Sequence, residues 1–434
     1  MLLNFKAKNY RSIKDEICID FEATGLSEEK ECFIKYNRKN YLPVISISGK
    51  NGGGKSNVIR AFWLAVQFVR NAHRTQYENA EVPVTPFEFD SHMKYMPTEF
   101  EFEYVCDDIK YKYGFSATIK EIISEYLYYW PKGQKRVVFE RNRQEYIFPK
   151  NSEKKFKEMI GKAVAPNQLY FVVSCVMNYK PSIAAMKWFR NEVIFSRDYS
   201  DLSQNIFDYA SDKDMLVAMT NIAKIADIGI DDVEYKFKNR EIKSITDLPE
   251  SLSQEQIQEI EKALRQFGES LTVSVDGKEE PLRFNELQAT TKHKVMNAEG
   301  RIETYPLPLF EESDGTLRIM SFGAAIEETI RKDGIFVIDE IENRLHPYFV
   351  EYIINRFQRQ NIESKAQLLF TTHSNDILNR ELLRRDQYYL VDKDANTGVT
   401  ELYSLADFSP RKDENMGRAY MLGKYGAIPY IEEE

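Results

Sequence analysis

The chain has 434 residues, 43% of them hydrophobic and 13% aromatic, which supports a large core in more than one compact lobe and excludes a disordered chain. Its formal net charge of −9 gives no overall attraction to nucleic acid, and the local basic stretches, Lys132 to Arg143 and the run from Lys150, are interleaved with acidic or turn residues and read as solvated surface. No apolar run approaches the roughly 20 residues that span a bilayer, and MLLNFKAKNY lacks the apolar core of a signal peptide, so a cytoplasmic protein with no membrane partner is expected.

In chain order, LLNFKAKNY and ICIDF alternate in polarity and predict a β-hairpin turned near Arg11 to Lys14. A strand VISIS, Val44 to Ser48, runs into a glycine loop, and the apolar spacing of Val58, Phe62, Val66 and Val69 then predicts one helix. From Thr98 to Phe148 the period becomes two, as in TEFEFEYV and IKYKYGFSATI, with turns at Asp107-Asp108 and Pro131 to Gly133, which predicts an antiparallel sheet. Between about Ser152 and Thr290 the spacing is mostly helical, and SQEQIQEIEKALRQF opens at Ser253 with Gln256 in the capping-box position. That stretch contains no heptad run of three or more repeats. The last third alternates: a helix from Leu317 to Arg331, strand GIFVID, a helix from Pro347, strand QLLFTT and strand QYYLVD, the pattern of a mostly parallel sheet. The expected organisation is α/β, with lobe I at 1–150, an inserted mainly helical subdomain at 151–300 and lobe II at 301–434. The four cysteines, Cys18, Cys32, Cys106 and Cys175, lack metal or redox spacing and are read as reduced thiols.

Gly49-Lys50-Asn51-Gly52-Gly53-Gly54-Lys55-Ser56 satisfies G-x-x-x-x-G-K-[ST] in the strand–loop–helix context that this motif requires. Its glycines let backbone N–H groups face phosphate oxygens, and the following helix N-terminus adds partial positive charge. Lys55 is expected on the β- and γ-phosphates and Ser56 on Mg²⁺, with Asn57 beside them, so ATP and Mg²⁺ are the expected cofactors. The apolar strand Ile335 to Ile338 ends in Asp339 and Glu340, the first expected near the metal and the second as the base that orients or deprotonates water. His373, after the strand LLFTT, sits where open α/β sheets keep their ligand sites and is expected at the γ-phosphate. Ser313-Asp314-Gly315-Thr316 reads as a helix N-cap and equally as an anion site. Asp392 and Asp394 in VDKD imitate a metal pair, but a strand ending in a polar turn is the preferred reading.

Loop, Ser313 to Thr316, Asp-Glu strand and histidine, in this order, resemble the ABC-type P-loop ATPases of the RecF, SMC and OLD kind. In those proteins the segment corresponding to Ser313 and Gly315 presses on ATP held by a second protomer. Against the DEPTNHLD pattern, DEIENRLH places His346 where an aspartate is usual, and Gln76 is the one glutamine between the first helix and the sheet. A narrower set is similar to the RloA/AbiLi group of AAA ATPases: NYRSI at Asn9, TPFEF at Thr85, ADIGIDDV at Ala226, ESDGT at Glu312, DEIENRLHP at Asp339, TTHS at Thr371 and KYGAIP at Lys424. That resemblance implies an ABC-type ATPase head, an ATP-linked homodimer or higher oligomer, and a partner effector, often a nuclease, in antiphage defence with a DNA or phage-derived trigger. It also implies roles for Arg11 and Asn51 near adenine or the γ-phosphate. A RecF-like DNA-binding repair ATPase is the alternative.

Overall fold

The computed structural model describes residues 1–26, 33–75, 80–150, 153–196, 206, 209, 212–227, 229–241, 272–275, 278–281, 283–358, 364–374, 377, 382–408 and 415–428. They form two compact units, Met1–Ser196 with Ala325–Glu434, and Arg197–Ala324.

The first unit holds two sheets. Strands β1 (Leu2–Lys8) and β2 (Ile17–Asp20) form the expected hairpin, followed by the small pair β3 (Ile34–Tyr36) and β4 (Lys39–Tyr41). Strand β5 (Val44–Gly49) delivers the glycine loop to helix α1 (Lys55–Thr75). Strands β6 (Thr98–Cys106), β7 (Ile109–Ala117), β8 (Ile122–Trp130), β9 (Arg136–Asn142) and β10 (Glu145–Ile147) join the hairpin in an antiparallel sheet of order β10-β9-β8-β7-β6-β1-β2. Alternation in β6 turns Phe100, Phe102 and Tyr104 inward and leaves Glu101 and Glu103 to pair with Lys112 and Lys110 on the other face.

Three helices follow, α2 (Lys154–Ala163), α3 (Tyr170–Val176) and α4 (Lys180–Lys187). They pack on the aromatic face of that sheet: Trp188 stacks on Tyr104 at 4.6 Å and Phe171 meets Tyr113 at 4.6 Å. This burial makes residues up to Ser196 part of the first unit, so the second unit starts at Arg197 and runs to Ala324 instead of occupying 151–300. Strand β11 (Val193–Phe195) then enters the second sheet.

In the second unit the described residues comprise helix α5 (Lys213–Ala226), a sheet of β12 (Ile230–Glu241), β15 (Arg283–Met296) and β16 (Ile302–Pro308), and a hairpin of β13 (Thr272–Val275) with β14 (Lys278–Pro281). The expectation of a mainly helical insertion is therefore corrected for these residues. The pairing of β12 with β15 is long, from Ile230 opposite His293 to Glu241 opposite Arg283, and interstrand hydrogen bonds stabilise it despite many charged side chains. The capped helix at 253–267 lies outside the described residues.

Helix α6 (Asp314–Arg331) leads to β17 (Ile335–Ile338), α7 (Pro347–Gln358), β18 (Gln367–Thr371), β19 (Tyr388–Lys393) and β20 (Thr400–Ser404). The second sheet runs β11-β17-β18-β5-β19-β20, with every neighbouring pair parallel except β19 and β20. Strands β5, β17 and β18 are buried along their whole length, and β17 reads as a continuous apolar run. Helix α1 ties the sheets together: Phe62 packs edge-on against Phe5 at 5.0 Å and Phe102 at 5.7 Å, and against Phe195 at 6.0 Å. Among the described residues no helix is long and apolar enough to cross a membrane.

One buried ion pair fixes α3 to the antiparallel sheet. Glu125 accepts the backbone N–H groups of Tyr170 and Phe171 at 2.8 and 2.9 Å and the Tyr113 hydroxyl at 3.1 Å, and faces Arg141 at 3.3 Å with both side chains fully enclosed. Removing one partner leaves an uncompensated buried charge. Arg141→Met is therefore expected to lower unfolding stability by about 3–5 kcal/mol, read as a shift of the denaturant midpoint.

Candidate nucleotide site

The glycine loop leaves the buried end of β5 and turns through backbone shapes that L-residues rarely adopt. Gly52 has φ +74° and Gly54 φ +111°. At Gly54 space is closed as well, since a Cβ there would meet the Thr400 hydroxyl oxygen at 2.4 Å. Thr400 Oγ1 lies 2.8 Å from Ser12 Oγ and 3.3 Å from the Gly53 carbonyl, and Asn57 Nδ2 donates to Ser12 Oγ at 2.7 Å. The first hairpin turn, the loop, α1 and β20 thus meet at one buried polar cluster.

Lys55 is 5% exposed and donates to the carbonyls of Gly49 at 2.6 Å and Lys50 at 3.1 Å. Burial lowers its pKa from the ordinary lysine value, while Glu342, Glu340 and Asp339 pull it the other way. A cleft of 410 Å³ is lined by Asn51 to Asn57 together with Glu340 and His373. The structure therefore brings Asn51, Gly52, Gly53, Gly54, Lys55, Ser56, Asn57, Glu340 and His373 to one place from three separate segments.

At the acidic wall, Thr371 holds both carboxylate residues that end β17. Its hydroxyl donates to Asp339 Oδ1 at 2.6 Å and accepts the Glu340 backbone N–H at 2.7 Å. Glu340 takes φ +53°, uncommon for a residue with a side chain, at this turn off the strand. Its carboxylate lies 3.5 Å from His373 Nε2. The backbone N–H of His373 donates to Glu342, whose other oxygen is buried without a partner.

Other expected residues lie apart from this cleft. Arg11, at φ +50°, donates from its backbone to Thr85 at 2.8 Å and from Nε to the Tyr10 hydroxyl at 3.1 Å. It lines a different cleft of 460 Å³ with Arg60, Trp63 and Asp339, to which no residue from Gly49 to Asn57 contributes. Ser313 caps α6, its hydroxyl accepting the Thr316 N–H at 3.2 Å, and Gly315 lies in the first turn of that helix. Both belong to the second unit. His346 is exposed and accepts the Tyr348 N–H at 3.3 Å. Gln76 lies outside the described residues. In VDKD, Asp392 pairs with Lys50 at 2.6 Å and Asp394 accepts from Asn396 and Thr397 in its own turn, as expected of a strand ending in a polar turn.

Sequence reasoning missed Ser12, Thr371, Thr400 and Glu342. Ser12 and Thr371 fall within the pieces NYRSI and TTHS, which gave them no role of their own, and Thr400 lies in no such piece. The one available signal was DEIE, three acids in four positions, which placed a further carboxylate beside Asp339 and Glu340. Thr400→Val removes the hydroxyl and leaves Ser12 and the Gly53 carbonyl underbonded. It is expected to cost about 1–3 kcal/mol in thermal unfolding and to weaken nucleotide binding measurably by calorimetry.

No curated protein matches the chain. Among solved structures, it is similar to the SMC head domain from Thermotoga maritima, at 12% identity and TM-score 0.38, covering 93% of this chain and 98% of that one. It is also similar to the recombination mediator protein RecF of the RecFOR pathway, at 11% identity and TM-score 0.37, covering 93% and 98%. The fold itself is α/β, with a mixed sheet whose strand β5 delivers the glycine loop, beside an antiparallel β subdomain. A family match runs over residues 44–379, from the strand that delivers the glycine loop to beyond His373. By that match the chain belongs to the family described as "AAA domain, putative AbiEii toxin, Type IV TA system".

Proposed function

We propose that the chain binds and hydrolyses ATP as an ATP-linked homodimer or higher oligomer, and that ATP occupancy governs a partner effector, a nuclease, in antiphage defence. The observation that carries the ATPase reading is the cleft itself. A phosphate-binding loop, a carboxylate able to take a proton and a histidine beside it face one volume of 410 Å³. The effector and defence reading is supported by the resemblance to the RloA/AbiLi group and by the toxin named in the family's description.

In this reading the loop N–H groups and Lys55 take the phosphates, Lys55 exchanging its two carbonyl partners for phosphate oxygens. The Ser56 hydroxyl and the Asp339 carboxylate are hard oxygen donors of the kind that suits Mg²⁺, and they would hold it. The ion would supply charge neutralisation on the phosphates. Glu340 removes the proton of the attacking water, and His373, 3.5 Å away, orients that carboxylate and donates toward the γ-phosphate. Ser313 and Gly315 present the N-terminus of α6 to ATP on the partner protomer.

Lys55→Ala is expected to abolish ATP binding in calorimetry. Glu340→Gln keeps binding and slows phosphate release by about 100-fold or more; unchanged turnover would reject Glu340 as the base. Ser313→Arg is expected to retain binding by one protomer and to lose the ATP-induced increase in mass seen by light scattering. An oligomeric state and an effector interaction identical with ATP, with ADP and in Glu340→Gln would sink the switch. Tight, ATP-dependent gel shifts of DNA by this chain alone would favour the repair reading instead.

A further inference from the structure

Beside the phosphate cleft, and sharing Gly52 with it, lies a second cleft of 740 Å³. One wall is the segment Phe87 to Asp90, and the other is the turn after β19 that carries Lys393 and Gly398. We propose that this cleft receives the base and ribose of the bound nucleoside triphosphate, with Phe89 as the platform on which the base stacks. The inference rests on the nucleotide reading given above and says where the rest of that ligand goes.

Phe89 is 74% exposed, unusual for a phenylalanine in a chain whose other aromatic rings mostly fill its core. Its ring is nonetheless held in place. It meets Phe87 edge-on at 5.7 Å, rests over Gly398, and has the Lys393 ammonium 5.8 Å from its centroid. Phe87 is 1% exposed and anchored through its backbone N–H to Asn9 Oδ1 at 3.0 Å. A flat apolar face is therefore presented to the cleft on a rigid mount, at little ordering cost to a planar ligand.

Two of the three lysines on the rim are already paired. Lys14 pairs with Asp90 at 2.8 Å, and Lys50 with Asp392 at 2.6 Å. The Lys393 ammonium stays beside the Phe89 ring, a flat group can lie on that ring, and the anionic part of the ligand has the glycine loop next door. The volume lies within the usual range for small-molecule sites. The cleft that holds Arg11 and Trp63 is a poorer fit, because it touches no residue of the loop. Stacking on a phenyl ring tolerates any base with a π face, so the platform gives affinity for nucleoside triphosphates without selecting adenine from guanine.

The test compares Mg²⁺-ATP, Mg²⁺-GTP and inorganic tripolyphosphate by calorimetry on the full chain. Tripolyphosphate reads the loop alone. Phe89→Ala, a change at an exposed position, is expected to raise Kd about tenfold for both nucleotides and leave tripolyphosphate unchanged, with Phe89→Trp restoring nucleotide affinity. Lys55→Ala should lose all three ligands. Equal nucleotide affinities for wild type and Phe89→Ala would overturn the platform and leave the phosphate loop standing. The same loss for tripolyphosphate as for ATP in Phe89→Ala would also overturn it, as a general disturbance of the site. A wild-type chain that binds none of the three would remove the nucleotide reading together with this one.

Discussion

The Thr400 hydroxyl touches segments that lie far apart in the chain: Ser12 in the first hairpin turn and the Gly53 carbonyl in the glycine loop. Through Ser12 it also reaches Asn57 in the first turn of α1. Each neutral bond contributes only about 1 kcal/mol net, but the cluster is buried, so every unmade bond would cost more than a made one gains. Topology puts it there. Strand β20 lies next to β19, and β19 next to β5, so the far edge of the mixed sheet closes over the loop that β5 delivers. The antiparallel sheet contributes Ser12 from the other side. A phosphate site made of backbone N–H groups depends on such fixing, since those groups act only when they converge on one point.

The charges of the site follow from that rigid frame. With its ammonium on two loop carbonyls, Lys55 has partners for a charge that burial works against. Binding a phosphate is then an exchange of partners, and the affinity reflects the difference between an anion and two carbonyl oxygens. Opposite stand Asp339, Glu340 and Glu342, whose carboxylates repel a triphosphate unless a cation lies between. Loop and acidic wall therefore make opposite demands on the same ligand. A divalent ion between them would reconcile the two.

The parts legible in the sequence were those where local pattern and burial agree. The loop announced itself by spacing, β17 by an unbroken apolar run, β18 by its apolar centre, and the antiparallel sheet by its alternation in TEFEFEYV. The strands of the second unit were missed because β12 and β15 carry charged residues along their length, in KFKNRE and TTKHK, so the period-two signal was weak. The division at Ser196 was missed because Phe171 and Trp188 bury themselves against strands more than 50 residues earlier, and local spacing does not report such partners. In the site, Asp339, Glu340 and His373 were readable as strand-end residues. Thr371, Ser12 and Thr400 were not, because a hydroxyl's role is set by which segments meet around it. Arg11 was placed near adenine or the γ-phosphate by likeness alone, and it lines a cleft with Arg60, Trp63 and Asp339.

The two loop glycines discussed above are required for unlike reasons. At Gly54 the Thr400 side chain fills the place a Cβ would take. At Gly52 no atom lies within 4 Å of that place, and the whole obstacle is the φ of +74°. Handedness alone thus forbids an ordinary side chain there, at a cost of about 1–2 kcal/mol. For a mirror-image residue the same torsion is the relaxed one. A chemically assembled loop carrying D-alanine at position 52 would keep its natural bend and have fewer unfolded shapes to abandon, so the protein would lose nothing in form by gaining a methyl group of the opposite hand.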